Sequence, residues 1–389
     1  MSLEVRQATA DDYQKISRFI HDAYQELAQF KAYNRWRWQF LDNPSQDSDN
    51  GRPSVWIAVQ DDRIVGQIAV QRCGLRAGAK SFAAGWIVDV MVLPEFRGLG
   101  LGHRLYEAAS ESNLVLVTLT MAPATRQMAE RLGAISLPAV SEWFRPEAPR
   151  GRDVAQYLVW RGADKQMWQA AAKLFNALGG SHAVAAAARA YVGLRNRFSL
   201  RVAGDIYLFN SVERFSPRLD SVWKSVEDHF SGVPRTAAHL NWRFVDCPQL
   251  RYERFEVARA GKLVGYLVLR RCEEFELRTG ILVDALALDD EEGVWDALIT
   301  YANHLFSSGV AGIEAAFSTY GAIRALKRAG YFPTKVHRPT IVCRDKAKLA
   351  QLSQSLNWFF NKGDHDWDQF HLAEQRHFNQ RRATGRSSN

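Results

Sequence analysis

The feature that most constrains the fold of this chain is an internal repeat. The sequence Trp-Gln-Phe-Leu-Asp-Asn-Pro at residues 38–44 recurs as Trp-Arg-Phe-Val-Asp-Cys-Pro at residues 242–248. Three shorter matches follow in the same order: residues 65–73 with 264–272, 87–90 with 282–285, and 131–133 with 328–330. The four offsets lie between 195 and 204 residues, a drift that loop insertions explain. The sequence therefore predicts a duplicated domain.

Each copy has the same predicted order of elements. A helical region comes first, at residues 11–41 and 216–244, and two strands follow, at residues 54–59 and 64–72 in the first copy and 254–258 and 263–270 in the second. Next comes an apolar strand without alternation, Trp86–Leu93 or Ile281–Leu288, as expected of a strand buried on both faces. A helix, a further strand and a closing helix complete the pattern. Strands that alternate with helices predict the α/β (α+β) class.

The repeat divides the chain into four expected units. We expect an N-terminal domain at residues 1–160, a helical linker at 161–204 and a second domain at 205–345. The remaining residues, 346–389, are expected to end in a basic, flexible tail. The linker is rich in alanine and is interrupted at Gly179-Gly180, which predicts a helical hairpin. Each predicted domain is a mixed, twisted sheet flanked by helices.

Composition excludes several classes of protein. No apolar run reaches the ~18 residues of a membrane span, and the N-terminus does not resemble a secretory signal. The four cysteines form no CxxC pair, so neither a zinc site nor a disulfide framework is expected. The net charge of +8 suits an anionic ligand without demanding nucleic acid. A cytoplasmic protein without a metal, and with neither a membrane nor a nucleic acid as partner, is expected. The acidic residues around His365 are expected to form a solvated loop.

The strongest local motif is Val-Leu-Pro-Glu-Phe-Arg-Gly-Leu-Gly-Leu-Gly at residues 92–102. A buried strand ends there, a short loop carries Arg97 and three glycines, and a helix begins at once. Glycines let a ligand approach the backbone, and the first turn of a helix presents unpaired N–H groups at the positive end of its dipole. The loop therefore predicts a pyrophosphate site. It lacks the Lys-Ser/Thr of a Walker A loop, and no acid that could bind a ribose follows at the Rossmann spacing.

With these residues the chain resembles the GNAT superfamily of acyl-CoA N-acyltransferases, whose signature is Arg/Gln-x-x-Gly-x-Gly/Ala after such a strand end. The resemblance covers residues 3–160, and a weaker copy covers 205–345. It implies two tandem GNAT-like domains, with acetyl-CoA as co-substrate. It also implies that the loop holds the coenzyme A pyrophosphate and that the preceding strand pairs with the pantetheine arm. The implied coenzyme residues are Val90, Met91, Val92, Arg97, Gly98, Leu99, Gly100, Leu101, Gly102 and His103.

The second copy departs from the motif where the motif matters most. Its strand runs into the acidic residues 289–292, with Glu292 in the place of Arg97 and Trp295 in the place of Gly100. Carboxylates repel a pyrophosphate, and a tryptophan side chain would fill the loop. We therefore expect one acyl-CoA per chain, bound by the first copy.

Candidate catalytic residues are fewer. Asp89 lies in the strand that precedes the loop and is the candidate base or acceptor-binding residue. Asp284 occupies the matching position of the second copy, so a structural role for Asp89 stays open. Family members often carry a general-acid Tyr where this chain has Ala129. Trp36 is a candidate on the acceptor side, whereas Tyr106 and the repeated Trp38 are expected in the core.

The resemblance implies an acyl-CoA-dependent N-acyltransferase that acts on a primary amine of a small molecule or peptide. A catalytically inactive, GNAT-like protein that binds coenzyme A, or that has a structural role, is the alternative. The acceptor, the acyl length and the oligomeric state do not follow from the sequence.

Overall fold

The computed structural model describes residues 3–46, 51–119, 121, 123–161, 166–199, 206–272, 278–288, 292–307 and 309–369. The basic tail and three of the acids predicted to block the second loop, Asp289, Asp290 and Glu291, lie outside these residues. Among the helices of these residues, none has the length and apolarity that a membrane span requires.

The first half contains the predicted elements in the predicted order, and it adds one strand before them and two strands after them. Its strands are β1 (Leu3–Gln7), β2 (Val55–Gln60), β3 (Arg63–Ala77), β4 (Lys80–Val92), β5 (Val115–Thr118), β6 (Ile135–Ser136) and β7 (Val140–Pro146). Its helices are α1 (Tyr13–Tyr24), α2 (Tyr33–Phe40), α3 (Leu101–Ser110) and α4 (Pro123–Arg131). Helix α1 forms because its apolar residues recur at helical spacing: Ile16, Phe19, Ile20 and Ala23 are all buried on one face.

The second half repeats this order after three connecting helices. The connection is α5 (Gly151–Arg161), α6 (Gln166–Ala177) and α7 (Gly180–Ser199). The strands that follow are β8 (Tyr207–Ser211), β9 (Ser231–Gly232), β10 (Glu253–Arg259), β11 (Lys262–Cys272), β12 (Thr279–Ala287), β13 (Gly312–Ala316), β14 (Phe332–His337), β15 (Thr340–Val342) and β16 (Trp358–Phe359). The helices are α8 (Leu219–Val226), α9 (Ala237–Phe244), α10 (Glu292–Phe306), α11 (Tyr320–Arg328) and α12 (Lys346–Ser353). Helices α6 and α7 are the predicted hairpin, with the left-handed Gly179 (φ 78°) at its turn.

The two halves build two mixed sheets, which confirms the predicted tandem α/β fold. The first sheet has the order β1-β2-β3-β4-β5-β15-β6, and the second has the order β14-β7-β13-β12-β11-β10-β8. The first half therefore gives β7 to the second sheet, and the second half gives β15 to the first sheet, together with the short strands β9 and β16 beside β3. Strand β15 lies between β5 and β6, and β7 lies between β13 and β14. Neither sheet is continuous without a strand from the other half. The two halves therefore form one folding unit where these strands are exchanged.

The repeated tryptophans meet at the junction of the halves. The rings of Trp38 and Trp242 stack with centroids 4.8 Å apart. Each indole N–H donates to the backbone carbonyl of the other tryptophan, at 2.9 and 3.1 Å. Trp38 is thus a buried core residue, as predicted. This reciprocal contact between equivalent residues relates the two copies by an approximate two-fold axis.

The central strands of both halves carry the same irregularity. The pairing of β3 with β4 shifts between Ala69 and Val70, which leaves Val88 as an extra residue, a β-bulge. The pairing of β11 with β12 shifts in the same way at Val283. Beyond Trp86, β4 no longer pairs with its parallel neighbour β5, and the strands separate. This separation opens a groove along residues 88–92.

Candidate active site

The glycine-rich loop joins β4 to α3 in an open conformation. Gly98 and Gly100 have φ angles of 84° and 75°, a region that residues with a Cβ rarely adopt. A Cβ at either position would meet no atom within 4 Å, so the space beside both glycines is open. Arg97 is exposed, and its Nε donates to the carbonyl of Val92 at 3.1 Å. The loop therefore offers a cation and unobstructed backbone to an anion.

The other loop residues have different roles. A Cβ at Gly102 would lie 2.9 Å from the sulfur of Met128, so this glycine allows α3 to pack closely on α4. The backbone N–H of His103 donates to the carbonyl of Gly100 and is used within the helix. Its imidazole is partly exposed, with Nε2 3.5 Å from Glu107. These contacts leave the amides of Leu101 and Gly102 as the first-turn donors at the positive end of α3.

A cavity of 730 Å³ lies beside this loop. It is bounded on one side by the end of α1 and on the other by residues 91–97, with Arg63 also at its wall. Arg63 contacts the carboxylates of Asp22 at 3.4 Å and Glu95 at 3.3 Å, whereas Arg97 adds a cation at the loop. The cavity therefore brings α1, the end of β4 and the glycine-rich loop to one opening.

Asp89 follows the bulge and lies beside the groove. Its side chain is 12% exposed, and its Oδ1 accepts from the hydroxyl of Tyr24 at 2.8 Å and the ammonium of Lys31 at 2.7 Å. Sequence reasoning missed both partners, because they lie about sixty residues earlier in the helical region and no spacing rule connects them to Asp89. A carboxylate so placed can orient an amine or accept a proton from it.

The remaining aromatic candidates lie in the core. Trp36 is 4% exposed and packs against Tyr13 and Phe40, with centroid distances of 5.1 and 5.8 Å. This burial favours packing over the acceptor contact that the sequence suggested. Tyr106 is fully buried, and burial raises the pKa of its hydroxyl. Ala129 is fully buried too, so no phenol stands at the position where the family often has one.

The groove of the second half is filled. Trp295, which the sequence aligns with Gly100, lies inside α10, whereas Gly100 precedes α3. It is 1% exposed and packs its ring 5.6 Å from that of Phe317, so it is a core residue. The expectation that a tryptophan stands at the position of Gly100 was therefore wrong, because the second helix begins earlier relative to the repeat. Asp284, which matches Asp89, is buried against the guanidinium of Arg235 at 3.3 Å and accepts from the hydroxyl of Tyr266 at 2.6 Å. Burial raises the pKa of Asp284, and Arg235 opposes that shift.

Residues 358–369, here called the C-terminal segment, occupy this second groove. The N–H of Gly363 donates to the carbonyl of Val283 at 2.6 Å, and the side-chain amide of Asn361 donates to the carbonyl of Ala285 at 2.9 Å. On the other side, the N–H of Ser318 donates to the carbonyl of Phe360. The segment thus bridges the separated strands β12 and β13.

The expectation of a solvated acidic loop around His365 was wrong. His365, Asp364 and Asp368 are each at most 5% exposed. Asp364 pairs with Arg235 at 2.7 Å, and Asp368 pairs with Arg243. The two buried guanidinium groups compensate the desolvation of these carboxylates.

The sequence of the first half identifies its family. Residues 4–133 match the sequence model described as "Acetyltransferase (GNAT) domain". These residues, about a third of the chain, therefore contain a GNAT-type acetyltransferase domain. No curated protein sequence matches it significantly.

Solved structures agree with the assignment at the level of the fold. A GCN5-related N-acetyltransferase from Anabaena variabilis is similar over 87% of this chain and 72% of its own length, with 12% identity and a TM-score of 0.57. A probable N-acyltransferase from Enterococcus faecalis, described as a conserved protein of unknown function, is similar over 88% of this chain and 72% of its own, with 12% identity and a TM-score of 0.55. Both alignments extend well beyond the first half, so they support the GNAT-like fold of the whole chain.

Proposed function

We propose that this GNAT protein is an acyl-CoA-dependent N-acyltransferase, with acetyl-CoA as the donor and a primary amine as the acceptor. The observation that carries the proposal is the open loop at residues 97–102, where two left-handed glycines and Arg97 face free space next to the edge of β4. Pyrophosphate suits this site because it is anionic and needs close approach to backbone N–H groups.

The contacts of β12 in the second half support a position for the pantetheine arm along β4 in the first half. There, the C-terminal segment donates amide N–H groups to the carbonyls of Val283, the bulge residue of β12, and of Ala285, two residues beyond it. The matching residues of β4 are Val88 and Val90, in a stretch that is half-buried over residues 88–92. A pantetheine arm also carries amide N–H groups. It would pair with this edge, along Val90, Met91 and Val92, as the segment pairs with β12.

This placement gives Asp89 a chemical role. The acceptor nitrogen would form a bond to the acyl carbon while the carbon–sulfur bond breaks and the coenzyme leaves as a thiolate. Asp89 accepts or directs the proton that the amine releases. With Ala129 in place of a phenol, solvent supplies the proton that the thiolate takes up. Lys31 and Tyr24 both bond to Oδ1 of Asp89. The nitrogen of the acceptor would therefore approach the carboxylate from the side that these two residues leave free.

A coenzyme-A-binding protein without turnover is the second candidate. The absence of a phenol at position 129 and the pairing of Asp89 with Lys31 favour it. Calorimetry with acetyl-CoA, followed by thiol release measured over a panel of amino sugars, polyamines and peptides, separates the two. We expect one site per chain and turnover with at least one amine. Binding without thiol release on any amine would favour the second candidate, and no binding would overturn both.

A further inference from the structure

His365 reaches the first half from the far end of the described chain. Its side chain is 6% exposed, and its Nε2 lies 2.7 Å from the carbonyl oxygen of Ile87. Because a carbonyl oxygen only accepts, Nε2 carries the hydrogen and donates it. The imidazole also packs edge-on against Trp86, with ring centroids 6.1 Å apart. The C-terminal segment therefore contacts β4 at the point where β4 leaves its neighbour.

The position of that carbonyl matters for the site. The pairing of β4 with β5 ends at Trp86, so the sheet does not supply the next partner on this edge. Val88, the extra residue of the bulge, follows Ile87, and Asp89 follows the bulge. A bulge redirects the side chains next to it, and its geometry depends on the hydrogen bonds at its ends. The bond from His365 thus fixes the backbone two residues before the candidate base.

Asp366 holds the imidazole from its other side. Its carboxylate contacts Nδ1 of His365. Burial would raise the pKa of Asp366, but His365, Lys31 and Arg35 together keep it well below its usual range. Lys31 is the same ammonium that bonds Asp89. The ammonium that bonds Asp89 therefore also acts electrostatically on Asp366, although the two carboxylates lie 277 residues apart in the sequence.

The rest of the segment forms a fixed support. Lys362 is fully buried and pairs with Glu314, whose strand is β13. Asp364 and Asp368 pair with buried arginines of the second half, and Trp367 donates to Glu142 of β7 at 2.8 Å. These contacts hold the segment without using β4. The position of His365 against β4 is therefore fixed by contacts that do not involve β4.

We propose that His365 is a positioning residue for the acyl transfer: oriented by Asp366, its Nε2–H fixes the Ile87 carbonyl and, through the bulge, the direction of the Asp89 carboxylate. This inference rests on the proposed function. It makes the C-terminal segment a part of the first domain's active site as well as the filling of the second groove.

The test compares two substitutions at one position. His365→Leu keeps the approximate volume but removes the donor, whereas His365→Gln keeps an N–H donor. We expect His365→Leu to lower kcat at least 10-fold while the calorimetric Kd for acetyl-CoA stays within 2-fold, and His365→Gln to recover most of the loss. Trp367→Phe is the control, because it loosens the same segment without touching Ile87. It should keep kcat within 2-fold.

Hydrogen exchange gives a readout that needs no substrate. His365→Leu should speed the exchange of the amides of residues 87–91 at least 10-fold, and Trp367→Phe should not. Unchanged exchange and kcat in His365→Leu, or equal losses in the control, would overturn the positioning role. If His365→Leu does not fold, Asp366→Asn decides: a kcat equal to that of the wild type would overturn the proposal. A wild-type chain without turnover would instead overturn the proposed function.

Discussion

Asp89 and Asp284 occupy the same position after the same bulge, yet their surroundings differ completely. Asp89 is partly accessible at a groove, with Lys31 and Tyr24 as partners. Asp284 is fully enclosed by Arg235, Tyr266 and Asn361. The difference teaches that duplication can keep a carboxylate at one backbone position while its neighbours decide whether it stays accessible or becomes enclosed.

The strand edges beside these residues show the same contrast. Residues 88–92 of β4 are half-buried, whereas residues 283–287 of β12 are buried throughout. The C-terminal segment accounts for the difference at Val283 and Ala285. Only one of the two grooves can accept a ligand without displacing part of the chain.

The strongest way to break this comparison is to make the first loop resemble the second. Gly100→Glu places a carboxylate in the open space beside Arg97, where it would repel a pyrophosphate. We expect acetyl-CoA binding to be lost in calorimetry, by at least 100-fold in Kd. Gly133→Glu is the matched control, because Gly133 has a similar φ of 78° and equally open space at the end of α4. Equal affinity in both variants would show that residues 97–102 do not bind the coenzyme.

Asp89→Asn tests whether the first carboxylate is reactive. The amide keeps the shape but cannot take a proton, so we expect turnover to fall ~10²–10⁴-fold, as for a true base. The Kd for acetyl-CoA should stay within 3-fold, because Asp89 bonds to Tyr24 and Lys31 and not to the loop at residues 97–102. Steady-state kinetics with the best amine, together with calorimetry, measures the two effects separately.

Asp284→Asn is the counterpart of that variant. Breaking a buried ion pair completely costs ~3–5 kcal/mol in the free energy of unfolding, and we expect a smaller loss here because Arg235 keeps Asp364 as a partner. Denaturant unfolding should show this loss, with kcat per folded molecule nearly unchanged. A fall in kcat for Asp284→Asn equal to that for Asp89→Asn would mean that the two positions do not differ as proposed.

A pH titration tests how firmly the halves are joined. Glu142 of the exchanged strand β7 faces Lys362 and His337. Burial alone would raise the pKa of Glu142, but the charge of Lys362 and the contact with His337 lower it from 4.5 to about 2. A lowered pKa in the folded state stabilises the protein above pH 4.5, and this contribution is lost as the pH falls toward 2. By linkage it is at most about 3 kcal/mol.

Glu142→Gln should therefore be less stable than the wild type at pH 7 and should lose less stability between pH 4.5 and 2. Glu95→Gln is the control, because Glu95 is half-exposed and its contact with Arg63 is a surface pair of small effect. Parallel pH profiles for the wild type and Glu142→Gln would contradict the assignment of this acid sensitivity to Glu142.

The smallest expected effect tests whether the two tryptophans that relate the copies make equivalent contacts. Trp38→Phe and Trp242→Phe each remove one of the two reciprocal indole hydrogen bonds, which costs about 1 kcal/mol of unfolding free energy. Because the contact relates equivalent residues, the two losses should be equal within ~0.5 kcal/mol, and a double-mutant cycle should show coupling. Clearly unequal losses would place the approximate two-fold axis elsewhere.

Much of the first site was predictable, because its residues are close in sequence. The strand end, Arg97 and the glycines lie within eleven residues, and the chemistry of a helix N-terminus explains their spacing. Gly102 was only partly understood from sequence, since its packing against Met128 depends on α4. Lys31 and Tyr24 were missed, because contacts between a helical region and a distant strand leave no periodic signal.

The sequence by itself determined the duplication, the α/β class and the difference between the two loops, since each depends on local patterns that the second copy either repeats or breaks. Only the tertiary structure decided that β7 and β15 change places, that Trp36 is core, and that His365 lies against Ile87. The alternating acids near His365 look solvated as a sequence, because their arginine partners are more than a hundred residues away. Charge burial depends on which cation the fold brings close, and that choice is made by the packing of the whole chain.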